Sequence, residues 1–116
     1  MGIDPEVLSA IVGDDREAIR DVVRDFLPAA RTGIAEIRAA VGSAVAERVK
    51  IASHRLKGSS RLVGAERLAD LCARLEVAGQ VGDWVEIEGL VPRLDGIMSD
   101  IEASAVAFLR PSMGDE

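Results

Sequence analysis

The chain has one histidine, one cysteine and one tryptophan, with two phenylalanines and no tyrosine. A lone thiol, Cys72, excludes an internal disulfide and fits a reducing compartment. With so few aromatics the core must be aliphatic, and the abundance of Ala, Leu, Arg and Glu favours helices over strands. No apolar run reaches the ~18 residues needed to cross a bilayer. The opening MGIDPEVLSA lacks the basic and apolar regions of a signal peptide, and Glu6 stands where a myristoylation signal needs Ser or Thr. These absences predict a soluble, cytoplasmic protein with no membrane partner. One His and one Cys also make a poor metal set, since the other ligands would be carboxylates and no zinc spacing occurs. KGSS, residues 57–60, is no phosphate loop, because it lacks a glycine directly before the lysine and a strand upstream.

What is present is 116 residues, 48% hydrophobic, enough for a single domain with its own core. The net charge of −6 argues against nucleic acid as a partner. Its distribution is uneven. From residue 48 to 67 the chain carries Arg48, Lys50, Arg55, Lys57, Arg61 and Arg67 against one acid, Glu66. A positive field therefore surrounds His54 on an otherwise acidic chain.

Helical periodicity runs through almost the whole sequence. Asp4-Pro5-Glu6 predicts a short helix over about 4–12, with Val7, Leu8 and Ile11 on one face and Gly13 ending it. Asp14 or Asp15 caps a second helix to about residue 41, with a kink expected at Pro28. Ser43 is expected to cap a third helix through about Leu62, burying Val45, Val49, Ala52 and Leu56, with Val63 continuing that stripe and Gly64 ending the helix. A fourth, from Ala65 to about Ala78, buries Leu68, Leu71, Cys72 and Leu75. Residues 79–82 read as a turn, and Asp83 with Glu86 as a capping box opening a last helix from Trp84 to about Leu109, with a possible kink at Pro92. The predicted fold is all-α: an antiparallel up-and-down four-helix bundle with a short additional N-terminal helix. Residues 1–110 form the expected domain and 111–116 a frayed tail.

On the third helix, positions three, four and seven residues beyond His54 share its face. Lys57, Gly58 and Arg61 thus border the imidazole, whereas Arg55 points about 100° away. A neutral imidazole is a good nucleophile near neutral pH, and a nearby ammonium suits a phosphoryl group carried on the ring. Glycine in a helix interior costs about 1 kcal/mol relative to alanine, so Gly58 is read as space kept open beside the ring. Ser59 and Ser60 are read as easing helix contact or bonding backbone carbonyls, and Cys72 as core.

The segment HRLKGSSRLVGAERLADLCARLE, residues 54–76, resembles the signature of histidine-containing phosphotransfer (HPt) domains. The order and lengths of the helices are similar across essentially the whole chain. The resemblance implies a four-helix bundle that relays phosphoryl groups between histidine kinases, or the receiver domains of hybrid kinases, and response regulators. It implies that His54 accepts the phosphoryl group on Nε2, that Lys57 neutralises its oxygens and that Gly58 lets a receiver approach. Glu76 is the candidate for the family's acid or amide that accepts a hydrogen bond from Nδ1, an ordinary surface acid being the alternative. Arg55 and Arg61 are candidates for the partner-binding rim. The chain is expected to act as a monomer, without a cofactor or turnover of its own, with Mg²⁺ supplied by the receiver. The alternatives are a helical adaptor that leaves the motif's chemistry unused, and the phosphoacceptor domain of a larger kinase. The start at Met1 and the acidic tail favour a free-standing protein.

Overall fold

Three aspartates open helices. Asp4 Oδ1 accepts from the Glu6 backbone N–H at 2.9 Å, Asp15 Oδ1 from Glu17 and Ala18 at 2.9 and 3.2 Å, and Asp83 Oδ1 from Glu86 at 3.1 Å. Each satisfies donors that the helix start leaves unpaired. In the computed structural model, which describes residues 2–109, the helices are α1 (Pro5–Val12), α2 (Arg16–Gly42), α3 (Ala46–Leu62), α4 (Glu66–Val81), α5 (Trp84–Leu90) and α6 (Arg93–Leu109). The tail expected over 111–116 lies outside the described residues.

Cross-helix pairs give the topology. Gly33 lies against Leu56 and Glu36 against Arg55, so α2 and α3 run antiparallel. Gly79 meets Ala46 and Lys50 while Glu76 meets His54, which makes α4 antiparallel to α3. Arg31–Glu102 and Arg38–Asp95 pairs set α6 antiparallel to α2 and close the ring. The result is the expected up-and-down bundle, 53 × 22 × 18 Å, with α5 and α6 together as its fourth member. Its core is aliphatic: Ile37, Val49, Leu68, Leu75, Ile87, Leu90, Leu94 and Ile101 are almost wholly buried, and Phe26 is the one buried aromatic among the described residues. α1 packs on one end, where the Asp4 N–H donates to the Val63 carbonyl at 3.0 Å.

Several local expectations need correction. Ser43 does not cap α3; it closes α2, donating its N–H to Ala39 and Val41, and Val45 stands at the α3 N-cap without a side-chain acceptor. Val45, expected in the buried stripe of the third helix, is exposed. Residues 79–81 are not a turn but the last turn of α4, and the chain reverses only at Gly82, in the left-handed conformation at φ 70°. Gly79 serves close packing: a Cβ there would lie 2.8 Å from the Lys50 nitrogen and 2.9 Å from the Ala46 oxygen. Pro92 interrupts the last helix fully: α5 ends at Leu90 and α6 restarts at Arg93, where proline lacks a donor and its ring crowds the carbonyl one turn back. α2, by contrast, continues across Pro28, with Phe26, Leu27 and Ala30 anchored in the core on either side.

Candidate functional site

α3 and α4 approach closely because Gly79, with no side chain, lies against the backbone of Ala46 and Lys50. That fixes Glu76 opposite His54. Glu76 Oε2 lies 2.9 Å from His54 Nδ1, and Glu76 Oε1 lies 2.6 Å from Lys57 Nζ. A carboxylate can only accept, so Nδ1 carries the proton and donates it to Glu76. Nε2 is then left with its lone pair free, on an imidazole whose side chain is 67% exposed. Glu76 and Lys57 are more enclosed, at 24% and 19%.

The carboxyl group of Glu76 is held below the usual carboxylate range. The Lys57 hydrogen bond is the main cause, partial burial works against it, and the His54 hydrogen bond and the charges of both neighbours reinforce it. One carboxylate thus anchors both the imidazole and the lysine ammonium. Below them lies Cys72, fully buried, its thiol pushed up to about 12 chiefly by burial, with Glu76 adding and Lys57 subtracting. It stays a protonated core residue.

The remaining sequence candidates divide. A Cβ added at Gly58 would meet nothing within 4 Å, so the spot beside the ring is open space. Arg61 is exposed and makes no ion pair with the described residues. Arg55 is not a free charge: its guanidinium lies 3.1 Å from Glu36 across the α2–α3 groove. Sequence reasoning missed Glu36, which sits on another helix and has no motif around it. Lys57 reaches Glu76 rather than standing alone beside the ring. Ser59 and Ser60 donate to the carbonyls of Arg55 and Leu56, as expected of serines that return their hydroxyls to their own helix. Ser53, one residue before the histidine, is fully buried and its hydroxyl has no partner among the described residues.

Fold and site together define a helical bundle that offers one braced imidazole to solvent. The Hpt domain family matches residues 21–104, and the chain belongs to that family. The chain is 29% identical over 113 residues to the virulence sensor protein BvgS of Bordetella parapertussis and 28% to that of Bordetella bronchiseptica. Each match covers 94% of this chain but only 9% of the Bordetella protein. The crystal structure of histidine-containing phosphotransfer protein B from Pseudomonas aeruginosa PAO1 superposes with a TM-score of 0.82 over 90% of both chains, at 19% identity. That likeness speaks for the fold. No described helix is long and apolar enough to cross a membrane.

Proposed function

We propose that the chain is a phosphocarrier of a two-component relay and that His54 Nε2 is the atom that is loaded. The supporting observation is the ring's geometry: Nδ1 is committed to Glu76 at 2.9 Å while Nε2 faces solvent. In the forward step the Nε2 lone pair attacks the phosphorus of a receiver's aspartyl phosphate. The Nε2–P bond forms, the acyl phosphate P–O bond breaks, and the aspartate departs as a carboxylate. The proton on Nδ1 stays in place, and Glu76 stabilises the positive ring that results. The reverse step delivers the group to an aspartate of another receiver. Lys57, one helix turn along from His54, lends its charge to the phosphoryl oxygens while it holds Glu76.

Catalysis of transfer is completed by the partner, whose acidic pocket brings Mg²⁺; a kinase is the other source of the group. Gly58 leaves room for the receiver, and Arg61 with Arg55 provides the positive rim that it meets. The relatives in Bordetella are far longer sensor proteins, and the same chemistry serves a separate carrier or a module of such a chain. The test is incubation of the wild type and His54→Gln with a panel of phosphorylated receiver domains and Mg²⁺. Label on the wild type alone is the expected result. No label from any receiver or kinase would make the chain an adaptor.

A further inference from the structure

One acid stands at the edge of the histidine's face without touching the ring. Glu36 lies on α2, and its Oε2 accepts from Arg55 Nη1 at 3.1 Å across the groove between α2 and α3. Glu76 differs, because it spends one oxygen on the ring and the other on Lys57. Glu36 Oε1 has no hydrogen-bond partner among the described residues, and the side chain is 45% exposed. A single exposed pair of this kind contributes little to stability, so folding gives only weak reason for an acid at position 36.

Its place gives a better one. Arg55 is the residue next to His54. One peptide step, an arginine side chain and the bond to Glu36 put that carboxylate within roughly 14 Å of the His54 Cα. Ordinary protein interfaces cover about 800 Å² on each partner, a disc about 16 Å in radius. A protein centred on position 54 therefore covers Glu36. The pair is also easy to reach. Glu36, Ala52 and Arg55 line two hollows that follow one another along the groove, one continued by Ala39 and the other by Ala29 and Gly33. The small side chains on either side leave the ion pair as a bar between them. α3 itself carries Arg48, Lys50, Arg55, Lys57 and Arg61 against one acid, Glu47. Glu36 is thus a negative charge set beside a mainly cationic helix.

We infer that Glu36 is a specificity-determining residue of the docking face. It admits receivers that bring a cation or a neutral group to the α2–α3 groove and rejects those that bring a carboxylate there. The inference rests on the transfer reading above and adds discrimination between receivers to it. Attraction to the cations of α3 is common to every acidic receiver, so it cannot tell them apart. Repulsion at one point can, because a like charge pressed against Glu36 penalises only the partner that carries it.

The experiment measures kcat/KM for transfer from a panel of phosphorylated receiver domains, grouped by the charge of the surface around their aspartate. The acceptors are the wild type, Glu36→Gln, Glu36→Asp and Glu36→Lys, at about 50 and about 300 mM salt. Glu36→Gln should speed the most acidic receivers at least threefold at the lower salt, narrow the span between fastest and slowest, and lose most of that gain at the higher. Glu36→Lys should carry the change further, and Glu36→Asp, which keeps the charge, should keep the wild-type ranking. Adding Arg55→Gln should leave the Glu36→Gln effect in place. With the wild type labelled and His54→Gln unlabelled, an unaltered ranking in Glu36→Gln overturns this inference alone. An effect that vanishes in the Arg55→Gln background does the same, since the acid would then only neutralise a cation. No label on the wild type from any receiver overturns the transfer reading, and the inference with it.

Discussion

Glu76 carries more than one duty, and its substitutions separate them. Glu76→Gln keeps an acceptor for Nδ1–H but loses the ion pair with Lys57, whereas Glu76→Ala loses both. Transfer should fall in Glu76→Ala by about 10²-fold, the low end for a positioned acid–base group, and less in Glu76→Gln; stopped-flow transfer from a phosphorylated receiver measures it. The proton linkage has a definite sign. The folded carboxyl titrates below its ordinary value of 4.5, so the unfolded chain binds more protons near that pH and stability drops as pH falls through the folded value. Denaturant melts from pH 7 to 3 should show a shallower acid loss in Glu76→Gln than in the wild type. Gly58→Gln tests the open spot from the other direction. A Cβ there meets nothing, so replacing glycine in the helix should raise stability by up to about 1 kcal/mol, while a bulky side chain beside the ring slows transfer. Faster or unchanged transfer in that variant would contradict the role given to the gap. That His54, Lys57 and Gly58 share one face was legible from spacing, because one helix turn relates them. The Lys57–Glu76 pair was not, since it depends on how two helices are set against each other.

At the scale of elements, the α3–α4 crossing sets the site. Gly79→Ala should force backbone atoms apart, costing about 1–3 kcal/mol as overpacking does and lowering Tm by several degrees. The same shift should loosen His54 Nδ1 from Glu76, so calorimetry and the ring's ¹⁵N shifts should move together; a destabilised variant with an unaltered imidazole would uncouple them. The helix count and polarity could be read from period and punctuation. The breaks could not. Pro28 and Pro92 have the same chemistry, yet α2 continues across one and the chain breaks at the other. Burial of Phe26, Leu27 and Ala30 on both sides of Pro28 supports α2 there. Gly79 looked like a turn residue for a similar reason, because glycine signals both reversal and close approach and only the neighbouring helix distinguishes them.

Across the whole molecule, charge is arranged against its own sum. The chain is −6 overall, but Lys57 and Arg61 share the face of α3 that carries the ring, whereas Arg67 of the same basic stretch lines a groove between α4 and α6. Encounter with an acidic receiver should therefore slow as salt rises, by tenfold or more between low and high ionic strength. A transfer rate constant indifferent to salt would mean that apolar contact, not charge, guides docking. Part of this field is already spent internally, since Arg55 pairs with Glu36, so Arg61 should carry more of the salt dependence than Arg55.

The linear order of residues was sufficient for the helical class, the aliphatic core and the identity of the exposed imidazole, because these depend on contacts within one helix or on composition. Folding in three dimensions decided which acid meets that imidazole, where Lys57 points, which arginines are free and where α4 ends. Those properties depend on the distance between separate helices, and a periodic sequence pattern carries no measure of that distance.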